Sequence, residues 1–269
     1  MGASDLRRRR FAFLRRRQKA RAANHMTVVQ HLDELRTRLV ISVGAFLALS
    51  IVAFVFYDPI FDLIIDPLCS LPADKLGPQG CKLNQFTPLE GFQVRLKLTA
   101  MVGLVLASPV WLYQLWAFIV PGLTQKEKRY ALPFVASSLT LFLVGATFAY
   151  LLLPTGLRVL IGLGGENLVP TLRADAYVNF VGLMLIAFGV TFELPLVLLF
   201  LGLAGVISVD WLRRHRRGAI VGIAALAAIV TPSQDPYTML AMAVPLYILY
   251  EATILLLRFL TRKRRAESV

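Results

Sequence analysis

The chain has 269 residues, 57% of them hydrophobic and 17% charged, and its mean hydropathy of +0.65 excludes an ordinary water-soluble globular protein. Its formal net charge at pH 7 is +13, because 29 Lys and Arg residues outnumber 16 Asp and Glu residues. Most of the basic residues, 23 of the 29, fall in four clusters separated by apolar stretches, at 7–38, 126–129, 213–217 and 258–265. This alternation is typical of a membrane protein whose basic loops stay on the cytoplasmic side.

Residues 1–25 form a basic tail with nine Lys and Arg residues between 7 and 21. A polybasic stretch before a membrane span favours contact with anionic lipid headgroups. Nucleic acid binding is the alternative, and it is disfavoured because no aromatic base-stacking module accompanies the tail. The first apolar run is too long for a cleavable signal peptide and lacks a small-residue cleavage pattern.

The segment 26–261 is predicted to be a single all-α membrane domain with six apolar stretches, at 39–57, 98–120, 132–153, 180–203, 219–230 and 239–257. The first four are long enough to cross a bilayer. The last two are short, and a re-entrant pair is the alternative, but their six-residue linker at 231–236 favours a tight hairpin that crosses twice. We therefore expect six spans with both termini cytoplasmic, bent by prolines into a concave bundle capped by outer loops. A basic cytoplasmic tail at 262–269 follows.

The first outer loop contains the two cysteines of the chain, Cys69 and Cys81. Turn-forming Pro and Gly residues lie between them, and the outer compartment permits oxidation, so a disulfide is predicted, with two free thiols as the alternative. Apolar residues recur at helical spacing just before Cys69, which predicts a short helix along the outer interface. These apolar positions are Ile60, Phe61, Ile64 and Leu68.

The stretch before the first span, MTVVQHLDELRTRL, is rich in polar groups. Thr27 and Gln30 have the spacing of a capping box, so a helix should begin before the membrane. Asp33 and Glu34 then lie on or beside the face turned toward the cytoplasm, where they are available to a ligand. Equally, Glu34 has the i, i+4 spacing for a plain ion pair with Arg38.

A second carboxylate, Glu127, lies in the cytoplasmic loop after the second span. Pro121 and Gly122 should end the preceding helix, and Thr124 with Glu127 forms another capping box. From the residues alone, a capping role for Glu127 among neighbouring basic residues is favoured over ligand binding.

Inside the membrane, Glu193 lies near the middle of the fourth span, where an ionised carboxylate is costly, and it is therefore a functional candidate. Pro195, two residues later, should bend this helix. Gln234 and Asp235 are polar positions in the last outer turn, and Glu251 in the sixth span is expected to be an intramembrane hydrogen-bond partner.

Enzyme signatures are missing from the sequence, including a phosphate-binding Gly-rich loop, HExxH and a nucleophile elbow. The three histidines are scattered, so we expect no metal site and no cofactor. Two other functions stay open on the residues: a proton-coupled secondary transporter that uses Glu193, and a structural scaffold. A transporter of this kind often has inverted repeats, and no matching halves are visible.

Four segments together resemble the TatC subunit of the twin-arginine protein translocase. They are HLDELRTRL at 31–39, SPVWLYQLWAFIVPGLTQKEKR at 108–129, FGVTFELP at 188–195 and TPSQDPYTMLAMAVPLYILYE at 231–251. The cysteine-containing loop and the long basic tail are similar to the actinobacterial branch of this family. The TPSQDP turn carries one residue more than the shorter versions in the family.

The resemblance implies a receptor for folded proteins that carry a signal peptide with two adjacent arginines. Glu34 and Glu127 would contact those arginines, which replaces the capping interpretation of Glu127, and Phe118 and Gln114 would take part in signal recognition. The resemblance further implies a homo-oligomer in a larger complex of the bacterial cytoplasmic membrane, with single-span TatA and TatB subunits and export driven by the proton-motive force. Intramembrane polar residues would face the signal's apolar helix or a single-span partner: Glu193, Gln234 and Asp235.

Overall fold

The computed structural model of the chain describes residues 28–72, 80–119, 131–164, 171–232 and 235–266. These ranges contain ten helices: α1 (Val28–Val55), α2 (Tyr57–Cys69), α3 (Glu90–Leu106), α4 (Ser108–Ile119), α5 (Ala131–Leu163), α6 (Ala174–Thr191), α7 (Leu194–Leu203), α8 (Val209–Arg214), α9 (Arg216–Val230) and α10 (Pro236–Ala266). Asn84 and Arg173 form an isolated parallel β-bridge, which is the β-pairing found in the described ranges. The predicted all-α fold is confirmed.

Four segments are long and apolar enough to cross a membrane: Val29–Val55, Leu132–Leu163, Ala174–Leu203 and Pro236–Arg262. A fifth span results if α3 and α4, which meet at an angle of 52°, are counted together. Helix α9 has 15 residues and is only about 22 Å long, as predicted for a short fifth stretch. The prediction that the sixth stretch is short is wrong, because α10 runs for 31 residues. Glu251 does not interrupt it, since neighbouring side chains bind its carboxylate.

Two prolines lie at breaks in the apolar segments. The chain leaves helical geometry just before Pro109, between α3 and α4, and again two residues before Pro195, between α6 and α7. The second break is the one that the sequence predicted. Pro133 instead lies in the first turn of α5, where a missing N–H is tolerated, and Pro245 lies inside the continuous α10.

The helices pack into a bundle in which α1 contacts α3 and α4, α6 contacts α3 and α5, and α10 contacts α7, α8 and α9. The larger apolar cluster is centred on α6, with Val181, Met184 and Phe188 all nearly inaccessible to solvent. Gly103 permits the close approach of α1 and α3, since a Cβ at this position would overlap Ser50. In contrast, only 6% of the apolar window of α1 is buried.

One end of the bundle, here called the basic end, carries the start of α1, the end of α4, α8, and the end of α10. A second apolar cluster joins α4, α8 and α10 at this end through Trp116, Leu212 and Leu257. The hydroxyl of Tyr250 in α10 donates to the backbone oxygen of Leu212 in α8 at 2.8 Å and fixes the two helices together.

The opposite end, the disulfide end, contains α2 and a disulfide between Cys69 and Cys81, whose Cα atoms are 4.9 Å apart. The short helix predicted before Cys69 is present as α2, with Ile64 and Leu68 buried and three aspartates exposed on the other face. The hydroxyl of Tyr177 donates to the backbone oxygen of Ile64 at 2.8 Å, which attaches α2 to α6.

Contacts of α1 at the disulfide end centre on Arg95 of α3. Its guanidinium donates to the backbone oxygen of Phe54 at 3.3 Å and lies 4.6 Å from the ring centres of both Phe54 and Tyr57. This arrangement combines a hydrogen bond with cation–π attraction and anchors the end of α1.

Candidate functional site

Glu34 lies in the second turn of α1, at the basic end. Its Oε1 accepts a hydrogen bond from Nε of Arg38 at 3.0 Å and a second one from Nη2 of the same guanidinium. The i, i+4 spacing brings these two side chains together on one face of the helix. The ion pair that the sequence offered as an alternative to ligand binding is therefore present.

Gln114 of α4 is connected to this pair. Nη1 of Arg38 donates to Oε1 of Gln114 at 3.1 Å, over a sequence separation of 76 residues. A single guanidinium thus bridges a carboxylate on α1 and an amide on α4, with charge-assisted hydrogen bonds on both sides. These contacts fix the orientation of Glu34 relative to α4.

Phe118, one turn further along α4, stacks on His31 of α1. The two ring centres are 4.2 Å apart and the rings are nearly parallel, at 11°. Nδ1 of His31 lies 4.0 Å from Oε2 of Glu34. Three of the four residues predicted for signal recognition, namely Glu34, Gln114 and Phe118, are therefore brought together, and we call them with Arg38 and His31 the Glu34 group.

The second oxygen of Glu34, Oε2, is inaccessible to solvent and has no hydrogen-bond partner within the described residues. Leaving a buried acceptor unpaired costs about 1–3 kcal/mol. An open groove of about 760 Å³ lies beside it, lined by charged residues of α1 and by Val40 and Ile41, whose side chains are exposed. The arrangement offers a hydrogen-bond acceptor for a cationic ligand next to an apolar wall.

Two of the predicted site residues, Glu127 and Gln234, lie outside the described residues. The structure therefore does not relate Glu127 to Glu34.

Glu193 lies at the break between α6 and α7 and faces α5. Its Oε2 accepts a hydrogen bond at 2.7 Å from Ser138, a fully buried serine of α5. Its Oε1 is inaccessible to solvent and lacks a hydrogen-bond partner among the described residues. One oxygen of this carboxylate is thus bound inside the bundle, and the other is buried without a partner among the described residues.

Asp235 has a local structural role at the start of α10. Its Oδ1 accepts from the backbone N–H of Thr238 at 2.9 Å and its Oδ2 accepts from the Thr238 hydroxyl at 2.5 Å. The side chain is largely buried, as an N-cap inside a bundle should be. This geometry supports capping rather than contact with a partner.

Glu251 of α10 behaves as predicted, as an intramembrane hydrogen-bond partner. It accepts from Nη2 of Arg216 at 2.6 Å and from the hydroxyl of Tyr247 at 3.2 Å. The sequence did not single out Arg216, which belongs to a basic cluster whose four arginines look alike. His31 was likewise set aside as a scattered histidine, although its i, i+3 spacing from Glu34 was a usable signal.

Among the residues that the structure describes, no three His, Cys, Asp or Glu side chains are grouped so that they could hold a metal ion.

Comparison with known proteins gives a consistent result. The family model "Sec-independent protein translocase protein (TatC)" matches residues 30–245. The TatC protein of Frankia casuarinae is 45% identical over 247 residues, which are 90% of this chain and 68% of that protein. For the TatC protein of Aquifex aeolicus the identity is 41% over 243 residues, covering 89% of this chain and 98% of the relative. A crystal structure of the twin-arginine translocase receptor TatC is 40% identical, with a TM-score of 0.72 over 84% of this chain and 98% of that one.

Proposed function

The chain belongs to the TatC family, the Sec-independent protein translocase proteins, and on that premise we propose that its Glu34 group binds the paired arginines of twin-arginine signal peptides. As a TatC protein it is a membrane-embedded receptor subunit of the twin-arginine translocase and not an enzyme. The comparisons give no support to a secondary transporter.

One observation carries the proposal: Glu34 already binds a guanidinium through one oxygen, while its other oxygen is buried without a partner among the described residues. A signal arginine that donates to Oε2 would satisfy this acceptor. Because His31 lies 4.0 Å from that atom, the His31 ring has to move aside when the ligand enters. Arginine suits such a site better than lysine, since its planar fork reaches two acceptors at once.

Arg38 and Gln114 are positioning residues in this scheme. Arg38 occupies Oε1 of Glu34, and Gln114 holds the Arg38 guanidinium in place. Oε2 is therefore the oxygen that is left for the ligand. The second signal arginine is assigned to Glu127, on the family resemblance alone. The apolar part of the signal would then lie along the exposed apolar side chains of α1, such as Val40 and Ile41.

We further propose six spans with both termini in the cytoplasm of a bacterium and the protein in its cytoplasmic membrane. The clustering of arginines at one end of the bundle supports this orientation, since basic loops stay inside. Helix α9 would be a short fifth span that pairs with α10, and short spans thin the bilayer locally. The basic tails at 1–25 and 262–269 would contact anionic lipids, and nucleic acid is not a proposed partner.

TatC proteins work with TatA and TatB subunits, and we propose that single-span subunits of this kind assemble here with several copies of the chain. The unpartnered oxygen of Glu193 is the contact that we assign to such a helix or to the signal. Gln234 stays a candidate from the sequence, whereas the capping geometry makes Asp235 the weakest of the three. The proton-motive force would drive export of the folded cargo.

The test is photocrosslinking of a twin-arginine signal peptide to membranes that contain the full chain. Crosslinking should fall at least tenfold for Glu34→Ala, roughly the effect of losing one charge-assisted hydrogen bond. Asp62→Ala, which removes an exposed carboxylate from α2 at the disulfide end, is the matched control. Crosslinking that is undiminished in Glu34→Ala, or a peptide with two lysines that binds as well as the arginine peptide, would contradict the proposal.

A further inference from the structure

A second groove, of about 480 Å³, opens at the basic end between the α7–α8 connection and the end of α10. Three arginines contribute to its lining, Arg213 from α8 and Arg258 and Arg262 from α10. We propose that this groove, the arginine groove, binds the phosphate of an anionic phospholipid headgroup. Its volume lies within the range of ligand sites in proteins.

The backbone places the three guanidiniums on facing walls. Arg258 and Arg262 are four residues apart and share one face of α10. On the other wall, Gly205 adopts a positive φ of 78° that turns the chain after α7, and the hydroxyl of Ser208 accepts the N–H of Trp211 to start α8. Gly202, near the end of α7, lets this helix come close to α10, because a Cβ there would overlap the side chain of Leu257.

The arginines of this groove lack an ion-pair partner in the described part of the chain. All five described ion pairs involve other cationic side chains. Asp210 is the acid in the lining, so the three arginines leave a formal charge of +2. The hydroxyl of Thr261 is directed to its own helix and does not compete for a ligand. A phosphate oxygen pair matches the guanidinium fork and supplies the missing acceptor.

The surroundings of the arginine groove favour a lipid headgroup over a free anion as its ligand. In the sequence, the apolar residues of α10 give way to the basic run RKRR at 262–265, so the groove lies where apolar surface meets charged surface. Large apolar side chains are exposed on the elements that flank the groove: Val206 (70%), Trp211 (50%), Leu255 (64%) and Phe259 (67%). Tryptophan is enriched at membrane interfaces, and basic pockets between helices on the inner side bind anionic headgroups. Acyl chains would cover the apolar side chains while the headgroup enters the groove.

This inference does not depend on the proposed signal-binding site, since the arginine groove uses none of the residues of the Glu34 group. Binding in the arginine groove also differs from contact of the basic tails with lipid, because the groove is a defined site between helices.

The test uses the full chain reconstituted in phosphatidylcholine vesicles that contain a small fraction of either brominated phosphatidylglycerol or brominated phosphatidylcholine. Bromine quenches nearby tryptophan, and Trp211 lies on the same helix as Arg213. We expect stronger quenching by the anionic lipid in the unaltered chain. For Arg213→Gln with Arg258→Gln, the relative affinity for that lipid should fall about tenfold, as expected for losing hydrogen bonds between charged groups.

The matched control is Arg214→Gln with Arg217→Gln, which removes the same charge from exposed arginines of the basic end that do not line the groove. This variant should change the relative affinity by less than about twofold. An equal loss in both double variants would mean that overall surface charge attracts the lipid, and it would overturn the proposal. The same holds if inorganic phosphate added to the vesicles abolishes the preference, since the site would then bind a free anion. If the double variant unfolds, Arg258→Gln and Arg262→Gln are measured singly against the same criteria.

Discussion

Nη2 of Arg216 lies 2.6 Å from Oε2 of Glu251, and this ion pair fastens the start of α9 to the middle of α10. The pair explains why a glutamate is tolerated inside the most C-terminal apolar stretch. It also adds a polar contact to the apolar packing of α9, a helix of only 15 residues, against α10.

Removing either member of this pair should destabilise the bundle modestly. We expect Glu251→Ala to lower the free energy of unfolding by about 1 kcal/mol, because the pair is partly exposed and solvent screens it. Thermal unfolding in detergent measures the effect. Arg216→Gln should give a similar loss, and the double variant should lose less than the sum of the two. Strict additivity would show that the pair contributes no coupling.

Arg38 should control signal binding through the position of Glu34. Replacing it with lysine keeps the positive charge but removes the fork that reaches both Glu34 and Gln114. We therefore expect Arg38→Lys to weaken binding of a twin-arginine peptide about tenfold, measured by fluorescence anisotropy of a labelled peptide. Arg158→Lys, at an exposed position of α5, serves as the control. Unchanged or tighter peptide binding in Arg38→Lys would exclude the positioning role.

The Cys69–Cys81 disulfide should stabilise the disulfide end. Closing a loop of this length contributes about 3 kcal/mol, chiefly by restricting the unfolded chain. A reducing agent should therefore lower the Tm of the unaltered chain. The variant with Cys69→Ser and Cys81→Ser should have the lower Tm from the outset and should not respond to the reductant. A Tm that is equal in all these conditions would contradict the prediction.

Two substitutions of Glu193 should distinguish the roles of its two carboxylate oxygens. In Glu193→Gln the amide oxygen still accepts from Ser138, so the free energy of unfolding should change by less than about 1 kcal/mol. In Glu193→Ala the buried Ser138 hydroxyl loses its partner, and the loss should reach about 1–3 kcal/mol. Chemical unfolding compares the two variants. Copurification with a single-span subunit should weaken in both if the unpartnered oxygen binds it, and full retention in both would remove Glu193 from the proposed interface.

The capping role of Asp235 can be tested with two variants, one that removes the carboxylate and one that is isosteric with aspartate. Asp235→Ala removes the acceptor for the N–H of Thr238 and should cost about 1 kcal/mol of stability. Asp235→Asn keeps an acceptor and should cost less. If both variants are equally stable to heat while copurification of a single-span subunit falls, Asp235 acts at an interface after all.

The features that sequence reasoning captured are those with local causes. The break before Pro195 follows from a missing N–H and a ring clash, and the α2 helix follows from apolar spacing. The cap by Asp235 also had a local signal, an Asp directly before a Pro at the first helical position, which sequence reasoning did not use.

Contacts between distant parts of the chain were not predictable in the same way. The hydrogen bond from Arg38 to Gln114 depends on how α1 crosses α4, and a single sequence carries no record of that crossing. The length of α10 was misjudged for a related reason, since Glu251 is compatible with a long apolar helix only because Arg216 reaches it from another helix.

The small buried fraction of α1 has a mechanical meaning. Its two ends are tied by polar contacts, Arg38 to Gln114 at one and Phe54 to Arg95 at the other, and one face between them packs on α3 and α4 while the rest of its surface is uncovered. Because both contacts belong to one continuous helix, a shift of α1 at Glu34 would also strain its contact with Arg95 near the disulfide end.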